Sequence, residues 1–222
     1  MKSIRGLLAV LAVAMVAVFA GNASANIVLN PGFELGSGAD ATDWNELSGP
    51  SGSTGRSSLS PHSGSFHAYM QIDHINNPAA GAAYFIEQTQ PVGSIDNSLN
   101  YDLSFFAKTD STNFAGMDMF YQILWLDQDA SDGGGVKGET LTQLIPAGIN
   151  TSYQSFGLSD VDVPDGADSF LLRFQLSAGA VPDIANGLYI DDVVLQATVP
   201  EPTSLGLLAL GGFLTLARRR RS

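Results

Sequence analysis

The sequence predicts an all-β protein: an antiparallel two-sheet jelly-roll sandwich flanked by an N-terminal signal peptide and a C-terminal hydrophobic helix. Three observations predict it. Short segments of period-two alternation recur between clusters of Gly, Ser, Asp and Asn. No stretch between them carries the 3.6-residue period of an amphipathic helix, and the long apolar runs sit at the two ends of the chain. No repeat or linker divides the middle, so one domain is expected over residues 26–198.

Taken in order, residues 1–25 read as a secretory leader. Lys2 and Arg5 form a positive start, Gly6 to Gly21 is apolar, and Ala23-Ser24-Ala25 fits the small-residue rule for cleavage by signal peptidase between Ala25 and Asn26. The body then offers strands over Ser65–Asp73, Ala83–Gln90, Asn100–Lys108, Met117–Asp127, Ser169–Ser177 and Leu188–Ala197. Gly49–Ser58, Asp110–Gly116 and Asp127–Gly138 separate them and read as turns, because Gly, Asn and Asp tolerate the backbone angles that turns need. Within the strands, alternation sends Tyr101, Leu103, Phe105 and Ala107 to the core, and likewise Phe170, Leu172, Phe174 and Leu176. Such strands pack as two sheets around one core.

Composition narrows the partners. The body holds 21 of the 22 acidic residues and only Arg56, Lys108, Lys137 and Arg173 as cations, a formal charge of −17. That field repels nucleic acid and anionic lipid and is compatible with neutral glycans and divalent cations. There is no cysteine, so no disulfide framework holds the body together.

The last residues are Val199-Pro200-Glu201-Pro202, an uncharged stretch from Thr203 to Ala217, and Arg218-Arg219-Arg220-Arg221 before Ser222. Fifteen helical residues span roughly 22 Å, short of the roughly 30 Å hydrocarbon core, so a stable solitary anchor is marginal. The arginines favour the cytoplasmic side, which puts the body outside the inner membrane. This tail resembles the PEP-CTERM sorting signal of exosortase-processed bacterial proteins. The resemblance implies transient insertion in the inner membrane, handling by an exosortase-type enzyme, and a destination in the cell envelope, on the cell surface or in the extracellular matrix.

A second resemblance covers nearly the whole body. Asn30-Pro31-Gly32-Phe33-Glu34 followed by Trp44, then His62-Ser63-Gly64-Ser65-Phe66, Tyr101 to Lys108, Trp125-Leu126-Asp127, and Leu188-Tyr189-Ile190-Asp191-Asp192-Val193 are similar to motifs of the jelly-roll carbohydrate-binding modules of xylanases and cellulases. The resemblance implies one structural Ca2+ held by Gly32, Glu34, a carbonyl within His62 to Ser65 (Ser63 is taken) and Asp191, with Asp192 as the alternative to Asp191. It makes Trp44 structural. Calcium takes six to eight oxygens, which carboxylates and carbonyls supply.

If the body binds polysaccharide, aromatic faces and amide or guanidinium groups on one sheet face should carry the contacts, and the outward sets offer Tyr69, Gln71, Tyr121, Trp125, Arg173 and Gln175. Asp127, Asp129 and Asp132 do not make an EF-hand, since Asp132 falls where glycine is needed and Glu139 comes one place late. No zinc helix or nucleophile elbow is present, and His62, His67 and His74 are expected at the surface or in strands. The expectation is therefore a non-catalytic exported protein that binds polysaccharide. A purely structural or adhesive protein is the alternative, and a glycan hydrolase stands behind both.

Overall fold

A computed structural model describes residues 24–75, 81–127, 135–179 and 183–198. The signal peptide apart from Ser24 and Ala25, the sorting motif with its arginines, and Asp129 and Asp132 lie outside the described residues. The compact body is Asn26–Ala197, and among its described residues the regular elements are all strands. Among the described residues no helix is long and apolar enough to cross a membrane.

Two short strands, β1 (Gly36–Ser37) and β2 (Asp40–Ala41), pair with each other. The others are β3 (Asn45–Leu47), β4 (Gly52–Ser57), β5 (His67–Asp73), β6 (Ala82–Thr89), β7 (Tyr101–Thr109), β8 (Met117–Leu126), β9 (Val136–Gln143), β10 (Gln154–Val161), β11 (Ser169–Ala178) and β12 (Ala185–Ala197). They form two five-stranded antiparallel sheets, β10-β7-β12-β5-β4 and β3-β6-β11-β8-β9, packed as the expected jelly-roll sandwich.

Six of these strands coincide with the expected segments to within a few residues at their ends. The segment read as a turn at Gly49–Ser58 instead contains β4, and the Asp127–Gly138 loop gives way to β9 at Val136. In β4, glycine and serine lower strand propensity, but pairing of Gly52–Ser57 with Ile72–His67 overrides it, as tertiary context often does for strands.

The core lies between the sheets. Tyr101, Leu103, Phe105 and Ala107 point into it from β7, and Phe170, Leu172, Phe174 and Leu176 from β11, as alternation requires. The chain ends of the body are clasped by backbone. Ile27 donates to the Leu195 carbonyl and Val193 donates to that of Pro31, both at 2.9 Å, while the Asn26 amide bonds both ways to Val193 and Leu195.

The opening motif is a folded knot. Asn30 donates its amide to the carbonyls of Leu35 and Thr42 and accepts from Leu35 N–H. Trp44 donates its indole N–H to the Asn30 carbonyl and packs 5.0 Å from the Phe33 ring, which fits its structural role. Arg56 reaches across with hydrogen bonds to the carbonyls of Phe33, Glu34 and Gly38 and lies over the Phe66 ring at 4.0 Å. A buried guanidinium can satisfy itself with carbonyl dipoles when no carboxylate is in reach.

Candidate functional site

The outer face of the β10-β7-β12-β5-β4 sheet carries the polar and aromatic chemistry. Register aligns Tyr69 with Tyr189 and Lys108, Gln71 with Gly187, and Asp191 with Phe106. Gln71 donates to the Tyr189 hydroxyl at 2.7 Å, and that hydroxyl donates to Asp110 Oδ2 at 2.6 Å. Burial first, and then the Asp110 carboxylate, push the Tyr189 phenol far above its ordinary range, so it stays a donor. The ring lies down over Gly187, where a side-chain carbon would come within 2.9 Å of it.

One half of this face is covered by its own chain. Tyr153 is 2.6 Å from His67 Nδ1, Lys108 donates to the Ser60 carbonyl at 3.0 Å, and the His62 ring stacks on Phe106 at 3.7 Å. Lys108 Nζ also sits 4.5 Å over the Tyr153 ring and 5.4 Å over that of Tyr189. His67 is consequently 0% exposed. Desolvation, with the charge of Lys108 behind it, lowers its pKa to about 4, against a smaller opposing pull from Asp110. The expectation of histidines at the surface or in strands holds for His67, which opens β5 although fully buried, and fails for His74, which is fully buried just past the end of β5.

The other half is open. A cleft of about 360 Å³ is lined by Gly52, Ser53, Gln71, Ile72, Asp73, Asp110, Ala185 and Asn186. Its walls are set firmly. Asn186 accepts from the N–H groups of Ser111 and Gly187 and donates to the carbonyls of Ser111 and Asn113, which fixes the loop after Asp110.

Away from the cleft, just before the start of β5, three acids bracket one turn. Glu34 Oε1 accepts from the N–H groups of Ser65 at 2.8 Å and Phe66 at 3.1 Å. Asp191 Oδ2 accepts from His62 at 2.8 Å and Ser63 at 3.1 Å, and its Oδ1 accepts from Asp192 N–H at 2.8 Å. Asp192 reaches His62 Nδ1 and the Ser63 hydroxyl, each at 2.6 Å. A register shift between Asp191 and Val194, with Asp192 at a φ of +51°, lets both neighbours serve the turn, so geometry does not choose between them. Asp191 is fully buried, and desolvation outweighs its three N–H bonds and raises its pKa to about 6.

A side-chain carbon on Gly32 would sit 3.8 Å from Asp191 Oδ1, 3.8 Å from Glu34 Cγ and 3.9 Å from Asp192 Oδ1, so Gly32 faces the space between these acids. Gly32, Glu34, Ser63 and Asp191 are thus brought together. Among the described residues no group of three or more His, Cys, Asp or Glu side chains is itself arranged to hold a metal ion, so backbone oxygens would have to complete a shell. Asp127 is held instead by Lys137 at 2.9 Å and by Gly135 N–H.

The anticipated sugar-contact set is split three ways. Gln71 lines the cleft, and Tyr69 shares its sheet face. Tyr121 and Trp125 belong to the core, at 2% and 1% exposure, because β8 pairs them with Phe174 and Phe170. The run Met119, Tyr121, Ile123, Trp125 is wholly apolar, whereas its alternate set contains Asp118 and Gln122, a signal present in the sequence. Arg173 and Gln175 lie on the outer face of the other sheet, where Arg173 is paired with Glu87 at 2.6 Å over the Phe85 ring. Ser53, Asp73, Asp110, Asn186 and Tyr189 were not anticipated as site residues.

Comparison with known proteins gives the chain an address. Residues 198–221 match the PEP-CTERM protein-sorting motif. The protein is an exported one, processed at the membrane as an exosortase substrate. No curated protein matches the chain in sequence. Solved structures share the fold. The CBM22-1 xylan-binding domain of Paenibacillus barcinonensis Xyn10C aligns at 11% identity and TM-score 0.50, over 82% of this chain and 99% of that one. A Stig cyclase from Fischerella sp. TAU aligns at 16% identity and TM-score 0.52, over 81% of this chain and all of the other. An arabinose-bound α-L-arabinofuranosidase aligns at 15% identity and TM-score 0.51 over 82% of this chain, which spans only 28% of that enzyme.

Proposed function

We propose that the exported body is a non-catalytic domain that binds polysaccharide through the cleft beside Tyr69 and Tyr189, at the cell envelope, on the cell surface or in the extracellular matrix, after signal peptidase cleavage between Ala25 and Asn26. The cleft carries the reading: a concavity where hydroxyl, amide and carboxylate groups converge suits sugar hydroxyls, and half-buried Tyr69 on the same sheet face offers an aromatic surface for a sugar face. Engagement of the cleft carboxylates supports the non-catalytic part, since Asp110 accepts from Tyr189 and Asp73 from Ile75 N–H. The xylan-binding neighbour adds a precedent for the fold alone. The mature body should retain at least one glycan on an array. Gln71→Ala should weaken that binding about tenfold with the unfolding midpoint unchanged, since it removes a hydrogen-bonding amide at a half-buried position. No retained glycan, or parental affinity in the variant, refutes the reading.

We also propose one structural Ca2+ at Gly32, Glu34, Ser63 and Asp191. The oxygen-rich acid cluster facing Gly32 supports it. A structural or adhesive role without sugar draws on a different observation, the other sheet's outer face, where Leu47 and Leu141 are each 47% exposed.

A further inference from the structure

The half of the sheet face next to the cleft is filled by the protein itself. A sugar chain leaving the cleft over the sheet toward β10 would pass Gln71 on β5, then Tyr189 on β12, and then the face of β7 that carries both Lys108 and Phe106. Each of these is covered or engaged. Tyr189 is 8% exposed and hydrogen-bonded to Gln71 and Asp110. Lys108 is drawn to the Ser60 carbonyl and over the Tyr153 ring, and Phe106 lies under the His62 ring. Tyr153 is fixed from both sides, by its contact with the buried His67 and by an edge-on packing with His62 at 5.3 Å between ring centroids. The backbone that carries this cap is itself tied to the sheet, since Thr109 N–H donates to the Asn150 carbonyl at 2.9 Å.

The open space is correspondingly small. At about 360 Å³ it lies near the lower end of the roughly 300–1,000 Å³ range of small-ligand pockets. We propose that the cleft is an end-binding pocket: it receives the terminal one or two units of a glycan, or a short oligosaccharide, and does not accommodate the interior of a long chain. This rests on the reading of the cleft as a glycan site and adds the class of ligand it takes. The mutual contacts of the cap make the block a property of the folded body, because exposing Tyr189 and Phe106 to a passing chain would require displacing half-buried Tyr153 and Lys108 and the exposed His62 ring from the partners that hold them.

The test is a length series on the mature body. Calorimetric titration uses neutral β-1,3- and β-1,4-linked oligosaccharides of glucose, xylose and mannose, from one to eight units, with the matching polymers. The expected result is an affinity that stops rising at two units, and polymer binding that scales with the number of chain ends when polymer mass is held constant. An affinity that climbs by threefold or more through four, five and six units overturns the end-binding proposal and leaves the glycan reading standing. If nothing in the series or on the broader array binds, both fall. Tyr153→Ala, checked for folding by its unfolding midpoint, should open the capped half and restore a gain of at least threefold beyond two units. A folded Tyr153→Ala protein with the parental length profile also counts against the proposal. Lys108→Ala provides the same test if the tyrosine variant does not fold.

Discussion

His67 is the most informative position for a perturbation, because two buried groups titrate in opposite senses in the same pH window. Its folded-state pKa is lowered to about 4 from an ordinary value near 6.5. Between those values the unfolded chain holds a proton that the native state does not, so the His67 contribution to stability is complete above pH 6.5 and is lost as pH falls toward 4. A shift of this size corresponds to about 3 kcal/mol. Asp191 has the reverse sign. Its folded pKa is raised to about 6, so the native state holds the extra proton and acidification from pH 6 to 4 favours folding. In the wild-type protein the two slopes offset each other. His67→Gln removes one of them, so in chelator the variant should gain stability relative to the parent as pH is lowered from 7 to 4. For a body of this size about 3 kcal/mol is a relative midpoint change of roughly 6 to 12 °C. Thermal unfolding followed by circular dichroism at half-unit pH steps gives the difference curve directly. Parallel parent and variant curves would show that His67 is not the buried neutral group inferred here.

Trp125→Ala should lower the stability of the body by about 3 to 5 kcal/mol, because a 1% exposed indole leaves a cavity beside Phe170 and Tyr101; urea unfolding with an unchanged midpoint would contradict the core placement. Millimolar Ca2+ should raise the midpoint of the wild-type body, by about 2.7 kcal/mol at a hundredfold excess over the dissociation constant. Glu34→Gln should remove most of that rise, and an equal response of parent and variant in a calorimetric scan would exclude Glu34 as a ligand. Oligosaccharides of uronic acids should bind at least tenfold more weakly than their neutral counterparts at low salt, because Asp73 and Asp110 line the cleft and none of the described lining residues is a cation; equal titration isotherms would contradict this.

Much of the fold was readable because strand period and burial are the same physical fact in a two-sheet sandwich. Leu103 and Phe105, or Leu172 and Phe174, announce their face wherever the alternate positions are polar. Reading broke down where that contrast is absent. Gly52–Ser57 has no apolar side chain to alternate, so only its partner strand β5 makes it a strand. The site was legible in part. Gln71 and Tyr69 follow from parity on β5, while Asp110 and Asn186 reach the cleft through loops whose path no local pattern specifies. Tyr121 and Trp125 were placed on the wrong face because an aromatic reads equally well as a platform or as core. The all-apolar company of Met119 and Ile123 should have decided for core.

The turn from Ser60 to Phe66 gives the acid cluster and the capped sheet face a shared mechanical element. Its N–H groups at His62, Ser63, Ser65 and Phe66 satisfy Asp191 and Glu34, so the turn is pinned by charge-assisted hydrogen bonds to the first and last parts of the body. The same few residues place the Ser60 carbonyl on Lys108 and the His62 ring on Phe106. Gly64 is what allows the two roles together. It holds a φ of +59°, and a side chain there would collide with the Glu34 carboxylate. Order in the acid cluster and closure of the cap therefore share one set of backbone positions.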